Sequence, residues 1–102
     1  NEETALKMVN TLISSFKEER ILFKDAFMSN DYTKARALFH KFRGGVSYIM
    51  APELNKIAML LHDEVKAFER EEKPLNDLMP ELNNLFKSVD DIEHWLNTFN
   101  EN

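Results

Sequence analysis

The chain has 102 residues, 43% apolar and 30% charged, with no cysteine and a formal net charge of −5. That length suits one domain, and the composition is neither disordered nor fibrous. The missing cysteines exclude a disulfide framework, a thiolate nucleophile and a Cys-based zinc site, and the acidic balance argues against nucleic acid as a partner.

The longest apolar run is Ile57–Leu61, far short of the roughly 20 residues a membrane span needs. No membrane contact by this domain is therefore expected. The first residues, Asn-Glu-Glu-Thr, are neither a signal peptide nor an initiator methionine. They suggest a piece cut from a longer protein. Absence of cysteine fits a cytoplasmic setting, which is compatible with a membrane-anchored parent.

Helical spacing recurs from end to end, and no stretch alternates at strand period. A first helix is expected from about Thr4 to Met28, with Leu6, Val9, Leu12, Ile13, Phe16, Phe23 and Phe27 along one stripe. Arg20 interrupts that stripe, so the amino end is expected to fray or to form a short extra helix. Ser29-Asn30-Asp31 reads as a turn, with Asp31 or Asn30 capping the next helix.

The second helix carries Ala35, Leu38, Phe39, Phe42, Val46 and Ile49 and should end near Met50, before Pro52. Pro52 and Glu53 suit the first turn of a third helix. Its stripe is Leu54, Ile57, Ala58, Leu61, Val65 and Phe68, and Glu69–Lys73 reads as a solvated end and loop. A last helix follows Pro74, with Leu75, Leu78, Leu82, Leu85, Val89, Ile92, Leu96 and Phe99 in three- and four-residue steps. Pro80 should kink it or mark its true first turn. The expected fold is all-α, an antiparallel up-and-down four-helix bundle. No extra apolar face is evident, so a monomer is expected, and the five methionines read mostly as core filler.

The chemistry concentrates in His40-Lys41-Phe42-Arg43-Gly44-Gly45. With Ala35 as origin and 100° per residue, the apolar stripe of the second helix centres near 0°, while His40 falls at about 140° and Gly44 at about 180°. His40 therefore faces solvent, with Arg36 about one turn before it and Arg43 nearly one turn after. Two mid-helix glycines cost about 1 kcal/mol each relative to alanine. That cost makes sense where bulk beside His40 would block an approaching partner. A neutral exposed imidazole is a nucleophile, and guanidinium groups beside it hold phosphate. The residues read as a phosphate-accepting histidine; the bland reading is a surface histidine beside a kink or close helix crossing.

This pattern resembles the histidine phosphotransfer (HPt) family. The hallmark His-x-hydrophobic-basic-Gly-small corresponds to His40, Phe42, Arg43, Gly44 and Gly45, followed by Ala51-Pro-Glu-Leu54, Ala58 and Leu61. The family's small-Asp-aromatic turn corresponds to Asn30-Asp31-Tyr32. The resemblance implies a single HPt-like domain over residues 1–102, excised from a larger signalling protein such as a hybrid sensor kinase. It implies that His40 carries a phosphoryl group as a phosphoramidate, that Arg43 pairs with it and that Gly44 leaves room for a receiver domain. The partner receiver would bring the aspartate and the magnesium ion, so this domain is expected to need no cofactor of its own. It would be a phosphorelay intermediate without a complete active site, not an enzyme.

Two departures stand out. Met50 takes a position usually held by glycine, so the turn there is expected to differ. His62 replaces the Glu or Gln that in the family bonds the phospho-accepting imidazole. His62 lies about 80° from the centre of its stripe and is expected to hydrogen-bond His40, keeping it neutral; otherwise it is half-exposed and contacts nothing. Lys66, one turn on, is a further candidate phosphate contact. Leu22 falls off its stripe and is a candidate for receiver docking. Asp91 and His94 have a helical i, i+3 spacing, but surface decoration is the simpler reading, and no metal site is expected. Two other functions fit the same residues: the phosphotransfer domain of a chemotaxis-type kinase, and an adaptor that binds receivers without accepting phosphate.

Overall fold

The computed structural model describes the backbone of residues 2–46 and 52–100, and the side chains of 7, 10, 11, 14–44, 52–95 and 98. Four α-helices fill this stretch: α1 (Glu2–Met28), α2 (Tyr32–Val46), α3 (Pro52–Glu71) and α4 (Met79–Asn100), with a short 3-10 helix at Leu75–Leu78 before α4. No strand occurs among the described residues. The helices neighbour one another as α1–α2, α2–α3, α3–α4 and α4–α1.

The caps follow local chemistry. Asp31 Oδ1 accepts the Lys34 amide at 3.0 Å, satisfying one of the donors that open α2. Asn30 adopts a left-handed φ of 59°, a conformation that asparagine tolerates better than most residues. Its side chain then ties the turn to the far end of α3: Oδ1 accepts the Leu75 amide at 2.8 Å, and Nδ2 donates to the Tyr32 hydroxyl. Tyr32 in turn donates to the Lys73 carbonyl. Pro52 opens α3, where its missing N–H costs nothing.

One cluster of buried residues runs through the described chain. Phe16, Phe23, Phe27, Ala35, Phe39, Phe42, Leu54, Ala58, Leu61, Val65, Leu75, Leu78, Leu82, Leu85 and Val89 are all within it, as the spacing predicts. Phe86, which the stripe of α4 omits, joins them through edge-on contacts with Phe16 and Phe23. The aromatic rings of α1, α2 and α4 form the centre, with Phe23 and Phe39 4.9 Å apart and inclined at 64°.

Several expectations are corrected. α1 is one continuous helix, with neither a separate amino-terminal helix nor a break at Arg20. The Arg20 guanidinium lies over the rings of Phe16 and Phe86, bonds the Phe86 carbonyl and pairs with Asp90, so α4 compensates the charge on the stripe. Pro80 marks the first turn of α4, one of its two expected roles, but the leucine seam begins earlier, in the separate 3-10 helix. Of the methionines with described side chains, Met28 and Met59 are exposed and only Met79 packs against the core. The expected end of the second helix at Met50, and the turn around Ala51, lie outside the described residues.

Candidate functional site

The site is built on one side of α2. Phe39 and Phe42 anchor that helix, at 0% and 8% exposure, and their spacing turns the intervening His40 and Lys41 outward. His40 is exposed, as is Gly44 one turn later. A Cβ added at Gly44 would meet nothing within 4 Å. No internal contact therefore demands glycine there, although glycine is the weakest ordinary residue in a helix interior. Gly45 lies in the same last stretch of α2, but its surroundings are outside the described residues.

Arg43 faces the α2–α3 seam and is half-buried. Its Nη1 lies 3.3 Å from Nδ1 of His62. His62 is 5% exposed, and its ring stacks on Phe39 at a centroid distance of 5.8 Å and an interplanar angle of 19°. This corrects both expectations for His62: it is buried, and its ring nitrogen meets Arg43 instead of His40. The reason is reach across the seam. Arg43, three residues beyond His40, places a long donor side chain over the ring that His40, facing outward, leaves unpartnered. Burial holds His62 below the ordinary histidine range; Lys66 and Arg43 push it further down, Asp63 opposes them and His40 adds a smaller lowering.

The remaining basic residues divide by partner. Arg36 is engaged with Glu69 of α3, Nε–Oε1 3.1 Å and Nη2–Oε2 3.2 Å, and touches the Thr33 hydroxyl. The Nε contact is close but not aligned as a hydrogen bond. A phosphate at His40 would compete with that carboxylate for Arg36. It also shows that Glu69 is not simply part of a solvated loop. Lys66 is exposed on α3, one turn after His62, and takes part in no ion pair among the described residues.

Spacing arguments about the second helix alone missed Glu19. It is only 8% exposed on α1, and its Oε1 lies 2.6 Å from Nζ of Lys41. That contact raises the Lys41 pKa above its ordinary 10.5. The signal was present: Glu19 stands three residues after Phe16 and four before Phe23, on the apolar stripe. A carboxylate there requires a cation from a neighbouring helix.

Elsewhere, Leu22 is 41% exposed with Ile21 beside it at 68%. Asp91 and His94 are exposed on α4, and no group of three or more His, Cys, Asp or Glu residues able to hold a metal occurs among the described residues. No described helix is long and apolar enough to cross a membrane. An exposed imidazole thus stands on α2 three residues before Arg43, and neither Arg43 nor Lys66 of α3 has a carboxylate partner among the described residues. Comparison with known proteins returns no match, whether to a family model, a curated sequence or a solved structure.

Proposed function

We propose that this chain is a histidine phosphotransfer domain that accepts a phosphoryl group on His40 from a receiver-domain aspartate and passes it to another receiver. The observation that carries the reading is the exposed His40 imidazole with open space at Gly44, one helical turn away on the same face. A ring-nitrogen lone pair forms the N–P bond as the P–O bond to the partner's aspartyl carboxylate breaks. The ring is cationic until the proton on its other nitrogen passes to water. Arg43 and Lys66 stabilise the phosphoryl charge. Arg36 contributes only where phosphate displaces Glu69.

The magnesium ion that aspartyl phosphate chemistry uses is, in this reading, supplied by the receiver. In this reading the four helices form an antiparallel up-and-down bundle. Their neighbour order and the short Ser29–Asp31 connection support that arrangement. The domain is monomeric, works in the cytoplasm and sits within a larger signalling protein.

Intact mass after incubation with a phosphorylated receiver or a small phosphoramidate tests the reading, with His40→Gln alongside. One acid-labile phosphoryl group is expected in the natural chain and none in the variant. Uptake that survives the substitution moves the acceptor elsewhere. No uptake by a folded chain defeats the reading and favours a silent receiver-binding adaptor.

A further inference from the structure

What holds Arg43 when no phosphate is present bears on how the site works, and the inference here rests on the phosphotransfer reading. A guanidinium has donors only. Nδ1 of His62, 3.3 Å from Nη1 of Arg43, must therefore be the acceptor. The proton of the neutral ring then lies on Nε2. Burial of His62 and its stacking on Phe39 give that lone pair a fixed direction.

Arg43 carries a second mark. Its Nε is buried with no hydrogen-bond partner among the described residues, so within them the guanidinium is only partly satisfied where it sits. An acceptor able to engage two N–H groups at once would draw it away. Phosphoryl oxygens on His40, three residues earlier on the same helix, offer that bidentate match within side-chain reach.

We propose that His62 is a positioning residue: it parks Arg43 while His40 is unphosphorylated, and a phosphoryl group on His40 draws Arg43 off it, so that loading of His40 and protonation of His62 promote each other.

The charged and titratable groups acting on His62 are Arg43 and His40 from α2, and Lys66 and Asp63 from its own helix. Before loading, burial and then the two cations disfavour the charged ring. After loading, the phosphoryl charge and the departure of Arg43 both favour the imidazolium. His62 forms no covalent bond; its vacated Nδ1 takes a proton from water and returns it when His40 is discharged. Linkage makes the effect reciprocal, so lowering pH through the His62 titration favours the phosphorylated form.

The test is an NMR titration of the full chain, labelled with 15N at histidine and arginine, before and after loading His40 with phosphoramidate. In that loading step the N–P bond to His40 replaces the donor's P–N bond and ammonia leaves. Before loading, the Arg43 side-chain resonances should shift with the same midpoint as His62. After loading, the His62 midpoint should rise by about one pH unit or more. The His62→Gln variant, which keeps an acceptor but does not titrate, should lose both the pH-dependent Arg43 shift and the rise in His40 loading as pH falls through the His62 titration. Arg43 resonances indifferent to His62, or a His62 midpoint unchanged by full loading, overturn the proposal. A folded chain whose His40 does not load defeats the phosphotransfer reading and the coupling together. A loaded chain with an unmoved His62 defeats the coupling alone.

Discussion

Glu19 on α1 and Lys41 on α2, the residue after His40, form an ion pair of 2.6 Å. The carboxylate end is buried and the ammonium end largely solvated, so the pair fastens α2 to α1 at its rim. Lys41 is thereby turned to Glu19 and is not the cation that a phosphate at His40 would find. The Lys41 pKa lies above 10.5 because of Glu19. Its stabilising contribution is fully present below the unfolded value and disappears as pH rises through the folded one. Observed through its side-chain resonances, Lys41 should titrate above 10.5 in the natural chain and return towards that value in Glu19→Gln. An unchanged midpoint in the variant contradicts the pairing.

Gly44 separates stability from access. Its helical φ and the open space at its Cβ position predict that Gly44→Ala raises unfolding free energy by about 0.5–1 kcal/mol. Chemical denaturation measures it. Gly44→Leu should also fold, load His40 from a small phosphoramidate at the normal rate, and exchange phosphoryl groups with a receiver at least tenfold more slowly. Equal exchange rates would remove steric access as the reason for glycine.

Arg43→Gln should leave the exposed His40 chemically competent but lower its phosphoryl occupancy at equilibrium. The loss of one charge-assisted hydrogen bond, about 1.5–3 kcal/mol, corresponds to a decrease of roughly ten- to a hundredfold. Quantitative intact mass against a fixed donor potential reads this directly. Arg43→Lys should recover part of it, because a lysine retains the charge without the planar fork.

His62 also predicts a pH dependence of stability. Its folded pKa lies below the ordinary 6.5, so the unfolded chain binds the proton first as pH falls. Stability should be level above about pH 6.5, decline below it, and level off again once pH passes the depressed folded value. Urea denaturation between pH 4.5 and 8, approximately the range where histidines titrate, should show this decline in the natural chain. The His62→Gln variant should lack that portion of it.

Phe23 is 0% exposed and meets Phe16, Phe39 and Phe86 edge-on. Phe23→Ala should cost about 3–5 kcal/mol. A loss below about 1 kcal/mol by chemical denaturation would contradict the central packing described above.

Local spacing was enough to place four helices and the outward face of α2, but not the separate 3-10 helix at Leu75–Leu78 or the continuity of α1. Asp31 caps, Pro52 starts a helix, and Phe39 with Phe42 buries one side and leaves His40 on the other. These follow from a period of 3.6 residues and from which end of a helix lacks partners, both properties of a single segment. Contacts across a seam depend instead on how far one helix is rotated and shifted against another, and no spacing within a helix encodes that. Tertiary structure alone therefore decided that Arg43 meets His62, that Glu69 takes Arg36, that Lys41 answers Glu19, and that Phe86 and Asp90 keep α1 unbroken past Arg20. Sequence located the histidine; packing chose the partners of Arg36, Lys41 and Arg43 around it.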